Sequence, residues 1–288
     1  MYMYDVIVIG NGPAGVTAAI YTKRANLDTL VIGKDGGSLE KAEKIQNYYG
    51  FETVTGEKLV SLGIEQLKKL GIEYIKEEVI AIEKIGNVFK IITSFNEYEA
   101  LAVILATGAV RNKVNVAGIK EFEGRGVSYC AICDGFLFKD KDVAVLGNSK
   151  FAIHEINDLL PLVKNVTMLT NGKENINFRD ERVKVLDKKI KKVTGKSRVE
   201  KVEFEDNTSL PVSAIFIAEG TASSVDFARR IGAMVSENNI VVDNKYMTNV
   251  QGMFAAGDCI GGLLQVSKAV SDGANAGISV INYVRENK

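Results

Sequence analysis

At 288 residues the chain is long enough for two domains, each with its own core, and 46% hydrophobic with 25% charged residues describes an ordinary globular protein. Its 36 basic and 36 acidic residues cancel, which excludes bulk electrostatic attraction to nucleic acid or to an anionic membrane. Three cysteines, two of them in one CxxC, fit a reducing cytoplasm; the start enters a strand pattern without a signal peptide, and no run reaches the length of a membrane span.

Tyr4 to Ile9 has the mostly apolar texture of a strand buried in a parallel sheet. It leads into Gly10-Asn11-Gly12-Pro13-Ala14-Gly15 and then a helical pattern to about Arg24. This is the GxGxxG arrangement with a strand before it and a helix after it. Gly10 permits the tight turn, Gly12 lets backbone approach a pyrophosphate, and Gly15 lets helix and strand pack closely. A second strand, Thr29 to Ile32, lacks the acidic residue expected at its end to hold a ribose; Gly33-Lys34 follow and Asp35 comes late. A glycine-punctuated loop then carries Gly36, Gly37 and Ser38, and later Asn47, Tyr48, Tyr49 and Gly50. The two tyrosines read as packing residues or as the border of a ligand pocket.

Gly56 to Leu70 predicts an amphipathic helix through Leu59, Leu62, Leu67 and Leu70. Alternating runs at Val79 to Ile85 and Val88 to Thr93 predict a small antiparallel sheet. Ala102 to Leu105 is a buried strand running into Ala106-Thr107-Gly108-Ala109.

Ser128-Tyr129-Cys130-Ala131-Ile132-Cys133-Asp134-Gly135 brings two thiols and a carboxylate together. Three chemistries share that spacing: a reversible dithiol couple with a proton-transfer acid, half of a zinc site, and a structural disulfide. Zinc needs four ligands, and Cys259 and His154 are the remaining Cys and His of the chain. A disulfide closing so small a loop constrains little of the unfolded chain. Cys259 reads as a packed side chain and His154 as an ordinary helix residue.

Val143 to Leu146 ends in Gly147-Asn148-Ser149-Lys150-Phe151-Ala152, where a second nucleotide-binding turn belongs, before a helix stopping near Pro161. One of the turn's glycines is present. Ser149 takes the close-approach position, and Lys150 and Phe151 put bulky side chains in the loop. The strand Val166 to Leu169 is followed by Thr170-Asn171-Gly172-Lys173, without an arginine pair for a 2′-phosphate, and 171–182 is short for a crossover helix. The second turn therefore reads as degraded. Arg182 to Lys201 is strongly basic and turns at Gly195, either as a solvated hairpin or as a docking surface for an acidic protein. Ala214 to Ile217 and a helix near Val225 to Ile231 close this segment. Ile240 to Val242 resumes strand texture, Thr248 to Asp258 ends a further strand in Gly-Asp, and Gln265 opens a long C-terminal helix with small residues on its packing faces.

Four motifs now stand in order: Gly10-x-Gly12-x-x-Gly15, Ala106-Thr107-Gly108-Ala109, Cys130-x-x-Cys133-Asp134 and Thr248 through Gly257-Asp258. Together they resemble the low-molecular-weight thioredoxin reductases over nearly the whole chain. The resemblance implies an α/β chain of two Rossmann-like, three-layer domains, the second inserted into the first, with bounds 1–112 and 239–288 for FAD and 113–238 for the redox disulfide. It implies that Cys133 faces the flavin, that Cys130 attacks the partner's disulfide, and that Asp134 moves the proton. It also implies FAD held by Gly10, Gly12, Pro13, Ala14 and Gly15, by Thr107 and Gly108, by Gly257 with Asp258 at the ribityl chain, by Asn47, and by the helix start at Gln265 and Val266. A homodimer is a further implication; the cytoplasmic location expected for the chain comes instead from its cysteine usage and its strand-like start.

The departures point to one branch. The second glycine turn and its basic residues are missing, Ser38 replaces a glutamine, and Leu264 replaces an arginine. This resembles the ferredoxin-dependent flavin thioredoxin reductases. The leading expectation is an enzyme that draws electrons from reduced ferredoxin and reduces thioredoxin, with no use of NADPH. The alternatives are an NAD(P)H-dependent thioredoxin reductase with an atypical cofactor site, and a non-catalytic flavoprotein redox sensor. No metal is expected.

Overall fold

The structure is a computed structural model that describes residues 2–109, 114–174, 178 and 180–288. The chain divides into two compact units, Met1–Val110 with Ser223–Lys288, and Arg111–Ala222. Residues 223–238, expected with the inserted segment, fall in the first unit by this division. Among the described residues no helix is long and apolar enough to cross a membrane.

The first unit begins with β1 (Met3–Ile9), α1 (Pro13–Arg24) and β2 (Thr29–Ile32). Proline at the first helical position of α1 gives up an N–H that would have no intrahelical partner, and Lys23 and Arg24 face the negative end of the helix. Then come α2 (Gly56–Lys69), whose Thr55 cap accepts the Lys58 N–H at 3.2 Å, β3 (Glu73–Ile75), β4 (Val79–Ile85), β5 (Val88–Thr93) and β6 (Glu97–Leu105). The sheet order is β3-β2-β1-β6-β5-β4. β1 lies parallel to β2 and β6, whereas β5 runs antiparallel to both β4 and β6. The expected separate antiparallel sheet is therefore corrected: the strand of Ala102 to Leu105 reaches back to Glu97, and its extra length pairs with β5 and fuses the hairpin onto the parallel sheet.

The second unit holds β7 (Val127–Ser128), α3 (Ala131–Asp134), β8 (Asp142–Leu146), α4 (Lys150–Leu159), β9 (Asn165–Leu169) and β10 (Val183–Leu186). It continues with β11 (Ile190–Thr194), β12 (Lys201–Phe204), β13 (Ser209–Pro211) and β14 (Ala214–Ile217). A parallel sheet of order β10-β9-β8-β14-β7 sits with the antiparallel sheet β11-β12-β13. Val193, Val202, Phe204 and Ile215 pack in one core between them. The described residues of 171–182 carry no helix. Within the basic stretch Lys188 pairs with Asp206, and Lys192 and Lys201 share Glu203, so part of its charge is balanced locally.

The first unit resumes with α5 (Ser224–Arg230), the short pair β15 (Val235–Ser236) and β16 (Asn239–Ile240), β17 (Met253–Ala255) and α6 (Val266–Asn287). β17 pairs parallel with β6, which brings the Gly257–Asp258 turn to the sheet edge where the Gly10 turn also lies. The small residues of α6 let it ride directly on α1: a Cβ at Gly273 would stand 2.1 Å from the Ala14 carbonyl oxygen.

Candidate active site

The Gly10 turn is shaped by contacts that exclude side chains. Gly10 has φ +115°, and a Cβ there would meet the Ala106 carbonyl oxygen at 2.2 Å; one at Gly15 would meet the Gly10 carbonyl oxygen at 1.9 Å. At Gly12 a Cβ would meet nothing within 4 Å, so this backbone borders open space. Gly12 caps α1 without a side-chain bond while Val16 N–H closes on the Gly12 carbonyl, leaving the Ala14 and Gly15 N–H groups at the helix start for an outside acceptor. Open space, free donors and the positive end of a helix fit a pyrophosphate. Gly108, at φ +77°, likewise borders open space.

Other parts of the first unit converge on this turn. The Thr107 and Ser224 hydroxyls lie 2.6 Å apart, and the Ser224 N–H donates to Thr107 Oγ1 at 3.0 Å. Ser224, at the start of α5, was not among the sequence candidates; a lone serine offers no signal of a partner 117 residues away. Asn47 Nδ2 donates to Gln265 Oε1 at 2.7 Å, joining two expected flavin-site residues. Gln265 caps α6 without a side-chain bond to its N–H groups, so that helix start is also open. Burial pushes the Asp258 carboxyl above its ordinary value, against the pull of Lys268. Burial pushes the neighbouring Cys259 thiol up to about 12, which makes it a packed and unreactive side chain.

The Gly257 turn is held by a network the sequence reading missed. Lys268 Nζ donates to the Gly257 carbonyl at 3.0 Å and to that of Gly261, and pairs with Asp272 at 2.8 Å. Asp272 is 4% exposed and accepts the Gly257 N–H at 3.1 Å and the Tyr246 hydroxyl at 3.1 Å. The signal was there as a lysine and an aspartate four apart on one helix face. Lys268→Met strands that carboxylate and is expected to destabilise the first unit by about 3 kcal/mol. Urea unfolding followed by circular dichroism checks this, and an unchanged midpoint would count against the network.

In the second unit Cys130 and Cys133 form a disulfide with Cα atoms 5.3 Å apart. Cys130 is extended and caps α3, with Cys133 N–H donating to Cys130 Sγ at 3.2 Å. The sulfurs are engaged with each other, which corresponds to the disulfide readings rather than to the zinc reading. Ser128 Oγ ties the acid to the turn: it donates to Asp134 Oδ2 at 2.7 Å and accepts the Cys130 N–H at 3.1 Å. Glu155 Oε2, from α4, accepts the Ala131 N–H at 2.6 Å. Neither Ser128 nor Glu155 was singled out from sequence. Cys130 is 5% exposed, whereas Ile132, Phe136 and Leu137 are more than half exposed beside it.

The second nucleotide-type turn shares the packing of the first and differs in its chemistry. A Cβ at Gly147 would meet the Ala218 carbonyl oxygen at 2.2 Å, so this glycine also serves a close backbone approach. The start of α4, however, carries a side-chain cap that the start of α1 lacks: Ser149 Oγ accepts the Ala152 N–H. Asn148 Nδ2 donates to the Glu174 carbonyl at 2.9 Å, and Lys173 pairs with Glu219. Since β9 and β14 are the two neighbours of β8, an ion pair joining residues beyond their ends spans the end of β8, where a dinucleotide's phosphates would lie. One expectation is corrected. Phe151 does not fill the loop: it is 5% exposed, because α4 turns that residue into the core, while Lys150 stays outside.

Residues 4–273 match the pyridine nucleotide-disulphide oxidoreductase family. A thioredoxin reductase of Listeria monocytogenes is 36% identical over 306 residues, covering 99% of this chain and 95% of the relative. Among solved structures, an atypical thioredoxin reductase from Desulfovibrio vulgaris Hildenborough is 36% identical with a TM-score of 0.91, covering 98% of both chains. A ferredoxin-flavin thioredoxin reductase from Clostridium acetobutylicum is 32% identical with a TM-score of 0.71, covering 99% of both. That family implies FAD, and the open Gly10 turn fits it. An open first turn, a paired dithiol and these likenesses across the full length lead to one assignment: the chain belongs to the pyridine nucleotide-disulphide oxidoreductases, on their thioredoxin reductase branch.

Proposed function

We propose that this chain is a thioredoxin reductase whose electron donor is reduced ferredoxin rather than a pyridine nucleotide. The observation that carries the choice of donor is the contrast between the two turns. The α1 start leaves its N–H groups open, whereas the α4 start is capped by Ser149 and spanned by the Lys173–Glu219 pair. A phosphate at the second turn would have to displace both.

FAD held by Gly10, Gly12, Ala14, Gly15, Thr107, Gly108, Asp258 and the Asn47–Gln265 pair would supply the interchange between single electrons and electron pairs that a dithiol lacks. The remaining work belongs to the second unit. With the pair reduced, the Cys130 thiolate attacks one sulfur of the thioredoxin disulfide and releases the other as a thiolate. Cys133 then attacks the Cys130 sulfur of the mixed disulfide and expels the thioredoxin thiolate, closing Cys130–Cys133 and, once both sulfurs are protonated, leaving thioredoxin with two thiols. Asp134, fixed through Oδ2 by Ser128, is the carboxylate placed to take up and return the proton. Ile132, Phe136 and Leu137 offer an apolar rim for a protein substrate, and the buried Cys130 must become exposed before attack.

The test is an anaerobic absorbance spectrum of the purified flavoprotein, offered NADPH, NADH and reduced ferredoxin in turn. Ferredoxin alone is expected to bleach the flavin, and oxidised thioredoxin to restore it. Rapid bleaching by NADPH would replace this donor with the pyridine nucleotide that the family's name specifies. Absence of turnover with every donor would leave the sensor reading.

A further inference from the structure

Glu155 stands outside every motif, yet its side chain reaches the centre of the disulfide turn. The residue is 4% exposed on α4, and Oε2 accepts the N–H of Ala131, which follows Cys130, at 2.6 Å. We infer that Glu155 is a positioning residue that sets the redox balance of Cys130–Cys133 by holding a buried carboxylate against the backbone between the two sulfurs. This rests on the reading above that the pair is redox-active.

Reduction adds two electrons and two protons to the disulfide and gives two thiols, of which Cys130 ionises as the attacking group. A negative charge close to a thiol disfavours the thiolate. The Ala131 N–H, which would otherwise be a donor near that thiolate, is engaged by Glu155. The reduced form thus loses the stabilisation that ionisation would bring, the disulfide becomes harder to reduce, and the dithiol becomes a stronger reductant toward a protein disulfide. Of the ionisable groups on the elements that meet here, Cys133 and Asp134 share α3, and Lys150, His154, Glu155 and Asp158 lie on α4. Asp134 is engaged through the Ser128 hydroxyl, whereas Glu155 is bonded directly to the turn's main chain. The bland alternative is that Glu155 only fastens α4 to α3.

The experiment equilibrates the full flavoprotein with mixtures of reduced and oxidised dithiothreitol, then counts Cys130 and Cys133 thiols by alkylation and peptide mass. Reduced dithiothreitol supplies both electrons and both protons and closes to its own ring disulfide. Glu155→Gln keeps the shape and the acceptor while removing the charge. At about pH 8.5, near the ordinary thiol pKa, it is expected to raise the dithiol-to-disulfide ratio about fivefold. At about pH 6, where less of the thiol ionises, the two ratios should lie closer together than at about pH 8.5. Glu155→Asp retains the charge and should stay within about twofold of the unaltered protein. The inference is overturned if the Gln variant matches the unaltered protein at the higher pH, or if Asp shifts the ratio as far as Gln. Should the Gln variant fail to fold by circular dichroism, the Asp variant decides, and a shift beyond about threefold overturns the inference. An unaltered pair that never equilibrates with dithiothreitol would instead remove the redox reading itself.

Discussion

Gly15→Ala is expected to destabilise the first unit by about 3 kcal/mol and to yield protein that purifies without its yellow colour. The new methyl group would sit 1.9 Å from the Gly10 carbonyl oxygen and 3.2 Å from Val8 Cγ1. Gly10 has no room to yield, because its own φ is +115° and Ala106 stands behind it. The first turn of α1 must therefore lift from β1, and the pyrophosphate donors move with it. Gly12→Ala separates binding from folding. Its methyl group meets nothing of the protein within 4 Å, so the unit should keep its stability while flavin affinity falls at least about tenfold, since the added group occupies ligand space. Urea unfolding and the ratio of flavin to protein absorbance read the two effects apart. A yellow Gly15→Ala protein with an unchanged midpoint would refute the turn's packing logic.

Cys133→Ser and Cys130→Ser should each lower thioredoxin reduction by at least about a thousandfold, because one thiol cannot complete a two-sulfur exchange. The two variants should differ in what they trap. With Cys133 gone, Cys130 can still attack a thioredoxin disulfide but nothing then attacks Cys130 to expel thioredoxin, so a mixed disulfide should accumulate. With Cys130 gone, the remaining Cys133 should trap little. Both should keep FAD, since neither cysteine belongs to the unit that holds the Gly10 turn. Non-reducing electrophoresis of each variant with oxidised thioredoxin checks the assignment. Equal trapping would remove the assignment of roles, and trapping by Cys133 alone would reverse it.

The elements themselves were largely legible. β2 and the α2 start fall where periodicity placed them, and Pro13, Gly12 and the glycines around them marked the α1 start to within a residue. These are local properties: alternation, a residue that cannot donate, a φ that needs glycine. Where the reading slipped, a distant partner decided. The β4–β5 hairpin looked like its own sheet until β6 proved long enough to take it in. Phe151 looked like an obstruction in a loop until the helix turned it inward.

The same division runs through the site. By itself the sequence determined that one turn has the glycines for a dinucleotide and the other does not, that two thiols and an acid are neighbours, and that the chain pairs these with an AlaThrGly and a GlyAsp strand end. All of that is chemistry carried within a few residues. Only the tertiary structure decided that Ser224 meets Thr107, that Asn47 meets Gln265, that Lys268 and Asp272 hold the Gly257 turn, and that Glu155 reaches Ala131. The reason is physical. A side chain's hydrogen-bond partner across the fold is set by which backbones the packed core brings within about 3 Å, and no local pattern encodes that meeting.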